Sequence, residues 1–224
     1  MVRRTKAEAE LTRRRVLEAA LIALSEGGVH ATTLEDVAAR AGVTRGAVYW
    51  HFADKAALVA EVLRDMRWPL DVGDDTAAYQ AHPQPLEMLR ERLCWQIEGC
   101  MADPWQSRVM KIVLRQGVRS ELPANVVTRV AQVQADAVQR LGQVMTIAQQ
   151  RQQLRAGLRP ASVAQGLHAV GVGVLSDYAS DLAGARLNAS PLCLELFLVG
   201  ASSAGVERVS DAPRGRSRLP GLHR

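Results

Sequence analysis

The chain has 224 residues, 48% of them apolar and 23% charged, and a formal net charge of +5. It is long enough for one large domain, or a small domain joined to a larger one, around a sizeable core, and its charge favours an anionic partner. Cys94, Cys100 and Cys193 are odd in number and lack CxxC spacing, which argues against a disulfide scaffold or a zinc site, so no metal or cofactor is expected. The N-terminal run Met1-Val2-Arg3-Arg4 has no apolar signal-peptide core, and no stretch reaches the roughly 20 apolar residues of a membrane span. The expectation is a cytoplasmic protein with reduced thiols.

Helix formers dominate and alternating β-branched runs are missing, so the reading is all-α with about nine helices. The first is predicted over Glu10–Glu26, with Val16, Ala19, Ala20 and Leu24 at helical spacing and Gly27-Gly28 as its stop. Thr33 reads as an N-cap with Asp36 in the capping-box position, starting a short helix to Ala41 that Gly42 breaks. Thr44 caps the next, Arg45 to about His51, and Asp54 caps one running to about Met66. Pro69 and Gly73-Asp74-Asp75 mark a boundary. Helices then follow over Leu86–Met101, Trp105–Val118, Ala124 to about Gln152, Ala161–Ala179 and Leu192–Val206, punctuated by proline and glycine. The division is 1–66, 67–210 and a tail, 211–224, rich in Arg, Pro and Gly and expected to have little fixed structure.

The informative stretch is Leu34 to Phe52. A small residue, Ala38, belongs where two short helices cross. Gly42 suits the positive φ of a tight turn. Val48 packs back onto the first helix, and Val37, Ala41 and Val43 complete a small core. That is the spacing of a helix-turn-helix. With Val48 facing inward, Thr44, Arg45, Gly46, Tyr49 and His51 face outward, within reach of a DNA major groove. Thr33 and Lys55 flank the unit, placed to hold the DNA backbone. The plain alternative is a helical hairpin with a polar surface.

The run Thr32-Thr33-Leu34, Ala41 through Phe52 and Asp54-Lys55 resembles the TetR family signature. Its Tyr49-Trp50-His51-Phe52 form, with Val2-Arg3-Arg4-Thr5-Lys6, is similar to the AcrR/TtgR branch. The likeness in the DNA-binding part covers about residues 2–66. It implies a repressor that grips palindromic double-stranded operator DNA as a homodimer, controls a multidrug efflux operon, and is released by a small apolar ligand. Thr33, Thr44, Arg45, Gly46, Tyr49, Trp50, His51 and Lys55 match the family's DNA-contact positions. Arg45 is expected to read a base edge, that of a guanine, with Tyr49 and His51 on phosphate and Trp50 on a thymine methyl or the sugar backbone. Arg3, Arg4 and Lys6 form either an arm that tracks DNA or a merely solvated end.

For the body, the resemblance implies an apolar cavity. The candidates at helical spacing are Leu89, Leu93, Ile97, Met110, Leu114, Ala137, Leu141, His168, Val172 and Leu175, although such a stripe also describes plain core. His168 is the one polar member, and its alternative reading is a core histidine bonded to a backbone carbonyl. Trp68, next to Pro69, lies where a ligand signal would pass to the DNA-binding unit, or else simply packs a domain interface. The helices at 161–179 and 192–206 are rich in small residues that allow close approach, and the family pairs them with their copies in a dimer. The stretch Gly171-Val172-Gly173-Val174 departs from the branch, which carries aromatic or polar anchors there, so large apolar ligands with few fixed hydrogen bonds are expected. Two other regulatory readings stand: control of a fatty-acid or catabolic operon, and a DNA binder without a ligand. No nucleophile elbow, phosphate loop or HExxH helix speaks for an enzyme.

Overall fold

The computed structural model describes residues 6–115, 121–179 and 190–203. Ten helices occupy them: α1 (Lys6–Gly27), α2 (Leu34–Ala41), α3 (Arg45–His51), α4 (Lys55–Val62), α5 (Thr76–Ala81), α6 (Pro85–Ala102), α7 (Pro104–Leu114), α8 (Ala124–Gln150), α9 (Pro160–Ala179) and α10 (Ser190–Ala201). The all-α expectation holds. The expected count of about nine is short by one, α5. Asp75, read from sequence only as part of a breaker, caps this helix by accepting from Ala78 N at 3.3 Å, and Tyr79 anchors it in the core.

Helices α1 to α4 form the first unit. Val16, Leu24, Val37, Val48 and Val59 are essentially inaccessible to solvent and make its core. Helix α1 is tied to its neighbours by polar bonds as well: Arg13 pairs with Glu61 of α4, and Arg15 Nη2 donates to the carbonyl of Ala41 at the end of α2 at 2.9 Å. Helix α4 stops at Val62, short of the expected Met66: Leu63 leaves the helical region at ψ 3°, Arg64 N and Met66 N bond carbonyls three residues back, and the chain runs on to send Trp68 and Leu70 into the core.

Helices α5 to α10 form the body, in which α8 lies along α9 and α7 packs on both α9 and α1. Between α4 and α5 the strap 63–75 is clasped by several helices. Gln106 accepts from Arg67 N and donates to Asp65 O, both at 3.2 Å. Gln96 donates to Asp71 O at 2.7 Å, the Arg129 guanidinium donates to Leu63 O, and Arg140 pairs with Asp71 and Asp74. Helix α10 ends at Ala201 rather than near Val206, where the chain turns to bridge the loop after α8: Arg155 N donates to Ala201 O at 2.9 Å and Ser203 N to Gln153 O at 2.8 Å. Arg3 and Arg4, the expected end of α7 at Val118 and the tail 211–224 lie outside the described residues.

Candidate nucleic-acid interface

The turn between α2 and α3 is built as the spacing requires. Gly42 adopts φ 64°, the left-handed conformation in which its N–H reaches back to carbonyls of the last turn of α2. Ala38 and Val48 are 4% and 0% exposed, so the two helices close on a small residue and one valine. Both helices are capped. Thr33 Oγ1 accepts from Asp36 N at 3.1 Å while Asp36 Oδ2 accepts from Thr33 N at 2.9 Å, a reciprocal capping box. The bonds from the Thr33 hydroxyl and backbone hold the Asp36 carboxyl below its ordinary pKa. At α3, Thr44 Oγ1 accepts from Ala47 N at 3.2 Å.

With Val48 inward, α3 presents Arg45, Tyr49 and Trp50 to solvent, Trp50 at 73% exposure. Arg45 is held in place: Nη2 donates to the Tyr49 hydroxyl at 3.2 Å, the guanidinium lies 5.3 Å from the Tyr49 ring centre, and Nη1 pairs with Glu35 of α2. The Tyr49 hydroxyl first, and then the Glu35 carboxylate, raise its pKa further. Trp50 meets His51 edge to face at 4.6 Å. Gly46 stands in open helix, where an added Cβ would meet only Thr44 Oγ1 at 3.9 Å. The structure thus brings Arg45, Gly46, Tyr49, Trp50 and His51 together on one short helix, with Thr44 as its cap. Thr33 is exposed at the start of α2. Lys55 points elsewhere: its Nζ donates to the carbonyls of Val29, His30 and Thr32 at 3.0, 3.3 and 3.1 Å, closing the loop between α1 and α2.

Comparison with known proteins agrees with this geometry. The bacterial regulatory proteins, tetR family, match over residues 16–62. The transcriptional repressor BepR of Brucella suis is 32% identical over 177 residues, which is 79% of this chain and 85% of that protein. The chain belongs to the TetR family. The transcriptional regulator AcrR of Shigella flexneri is 39% identical over 121 residues, although that match covers 52% of this chain and only 54% of AcrR's length. Among solved structures, NalD, the secondary repressor of the MexAB-OprM multidrug efflux pump in Pseudomonas aeruginosa, superimposes with a TM-score of 0.71 at 28% identity over 88% of this chain and 99% of that one. The SmeT–triclosan complex gives 0.69 at 30% identity over 93% and 100%.

The body of this TetR-family regulator holds a cavity of about 570 Å³ between the end of α7, the first half of α8 and α9. Of the residues expected there, Leu114, His168 and Val172 line it. Leu89, Leu93, Ile97, Met110, Ala137, Leu141 and Leu175 are buried core residues away from its wall. The apolar lining is completed by residues that periodicity alone did not single out, among them Val113, Val127 and Val130, and polar groups stand in it at Arg115, Gln134 and Ser176. Gln134 and Arg115 reach this common space through the packing of α7, α8 and α9.

His168 is not bonded to a backbone carbonyl. Its Nε2 accepts from the Trp68 indole N–H at 3.2 Å, and burial lowers its pKa. A second junction joins body and DNA-binding unit at the loop after α1, where Glu121 accepts from His30 N at 3.0 Å and Arg115 donates to Glu26 O at 3.4 Å. Among the described residues no helix is long and apolar enough to cross a membrane, and no three His, Cys, Asp or Glu side chains converge to hold a metal ion.

Proposed function

We propose that this TetR-family regulator represses a multidrug efflux operon, binding a palindromic operator as a homodimer and leaving it when an apolar ligand fills the α7–α8–α9 cavity. The observation that carries the reading is the continuity between cavity and DNA reader: His168 stands in the cavity wall and bonds Trp68, in the strap that follows α4. A ligand that favours one arrangement of that wall biases the reader only by its differential affinity for the two states. The efflux assignment rests on kinship with BepR, AcrR, NalD and SmeT, of which NalD is described as an efflux-pump repressor and SmeT as a complex with triclosan. The cavity's largely apolar wall suits ligands of that kind.

In this reading Arg45 makes the base contact, with Thr44, Tyr49, Trp50 and His51 around it and Thr33 on the backbone. Gly46 admits the DNA closely, and Lys55 acts by holding the α1–α2 loop rather than a phosphate. The dimer forms through α9 and α10, whose exposed Leu192 and Leu196 offer an apolar face. Footprinting on the DNA around the gene, followed by titration with triclosan, tests the proposal. The expected result is a protected palindrome beside a pump operon, released as triclosan saturates the protein. Protection that triclosan and a panel of apolar drugs leave untouched, with no rise in melting temperature, overturns the ligand half of the reading.

A further inference from the structure

The reading helix α3 carries one formal cation, Arg45, and the first turn of α2 places Glu35 against it. Both side chains are more than half exposed, at 61% and 51%, and exposed pairs of this kind add little to stability. The pair is therefore weakly explained as a support for the fold. Its position is more informative. The first helix of a helix-turn-helix crosses the DNA backbone while the second enters the groove, so Glu35 stands on the side from which phosphates approach and Arg45 on the side that meets base edges.

We propose that Glu35 is a specificity-determining residue, which withholds Arg45 from phosphates and leaves it to a guanine edge. This rests on the operator-binding reading and sharpens it. Two opposed demands act on the guanidinium. A phosphate contact draws on the net charge of Arg45, which Glu35 neutralises, and it brings the phosphate up beside a carboxylate. A guanine contact needs two parallel N–H bonds to O6 and N7. An arginine has five N–H donors, so one can remain on Glu35 and one on Tyr49 while two others face the base. Glu35 thus opposes the sequence-independent mode and tolerates the specific one. The Tyr49 hydroxyl and ring act in the same direction by fixing the guanidinium plane.

The size of the effect follows from counterion release. A freed Arg45 that gains one phosphate steepens the salt slope by about 0.9, which is roughly eightfold in affinity at 0.1 M salt. The experiment uses the full chain, a duplex enriched by the wild-type protein from a random-sequence library, and a scrambled duplex of the same length. Fluorescence anisotropy is followed from about 50 to 200 mM salt, over which the slope is read. Glu35→Gln is expected to bind the scrambled duplex about eightfold tighter with the steeper slope, and the enriched duplex within about twofold of wild type. The ratio between the two therefore collapses by nearly the whole factor.

Glu35→Asp keeps the charge but withdraws it by one methylene, and is expected to lose part of the ratio. Asp136→Asn on α8 removes the same charge away from the reader and is expected to move neither affinity. Equal gains on both duplexes with Glu35→Gln, or no change on either, overturn the proposal, because Glu35 then acts only as a distant charge or as a favourable acid at the start of α2. Wild-type behaviour of Glu35→Asp also overturns it, since contact with Arg45 is then immaterial. A selection that enriches no duplex is a separate failure, that of the operator reading itself.

Discussion

Trp68 donates its indole N–H to Nε2 of His168 at 3.2 Å, with the two rings 5.9 Å apart. One partner belongs to the strap leaving the DNA-binding unit and the other to the wall of the body's cavity. Trp68 is only 4% exposed, so its N–H has no solvent to fall back on. Trp68→Phe keeps an aromatic ring but removes the donor and part of the buried indole. It is expected to lower stability by about 2 kcal/mol or more and to weaken the effect of triclosan on operator affinity, while triclosan still binds. Calorimetry on the free protein together with operator titrations at saturating triclosan checks both parts. An unchanged ratio of operator affinities with and without triclosan removes Trp68 from the route.

The same bond has a pH dependence with a fixed sign. His168 accepts at Nε2, so it must be neutral there, and burial lowers its pKa from the ordinary value near 6.5. In the unfolded chain the histidine takes a proton more readily than in the folded one. The contribution to stability is therefore fully present above pH 6.5 and is lost as pH falls from there through the folded value. Melting temperature is expected to fall more steeply between pH 7.5 and 5 in the wild type than in His168→Gln, whose amide oxygen can accept the indole N–H without titrating. Parallel curves for the two proteins contradict this.

Two glycines of the helix-turn-helix separate folding from recognition. At Gly42 the backbone is at φ 64°, and an added Cβ would stand 3.2 Å from Arg15 Nη2, which bonds the Ala41 carbonyl. Gly42→Ala is expected to destabilise by about 1 kcal/mol or more, lowering the melting temperature by a few degrees. At Gly46 the same substitution meets only Thr44 Oγ1 at 3.9 Å, and alanine is the better helix former. Gly46→Ala is expected to hold or raise the melting temperature and to weaken operator binding about tenfold, the scale of one lost close contact. Tight operator binding by Gly46→Ala shows that DNA does not approach that backbone.

What was legible in the sequence divides along physical lines. The helix-turn-helix is a local object: Thr33, Gly42, Thr44 and Val48 each act within a few residues, so spacing alone places the caps, the turn and the outward face. The cavity is not local. Leu89 and Met110 share the apolar character and periodicity of Leu114 and Val172, yet the first two are packed core and the last two line open space. Which side of an apolar stripe finds a neighbour depends on helices distant in sequence. Lys55 and His168 illustrate the same limit. His168 stands in the cavity wall as expected, but neither its partner, the Trp68 indole, nor the α1–α2 loop carbonyls that Lys55 bonds could be read from residue type. The short helix α5 was hidden because Asp75 terminates one pattern and caps another.

The strap is also seated on α9 by shape. Leu70, fully buried, lies so close to Gly171 that a Cβ there would stand 2.6 Å from its Cδ2 and 2.7 Å from its Cδ1. Gly171→Ala must displace Leu70, and a side chain with no exposed surface has little room to turn. Overpacking of this kind destabilises by about 1–3 kcal/mol. Because Leu70 follows Trp68 by two residues, the displacement also moves the Trp68–His168 bond and with it the setting of the DNA reader. Gly171→Ala is therefore expected to lose stability and to shift operator affinity in the absence of any ligand. Leu70→Ala alone leaves a void, but combined with Gly171→Ala it restores space for the added methyl, so the double variant is expected to be more stable than the sum of the two losses by about 1 kcal/mol or more. Additive losses in that cycle, measured by thermal and urea unfolding, contradict a direct contact, and unchanged ligand-free operator affinity in Gly171→Ala separates the strap's packing from the reader's geometry.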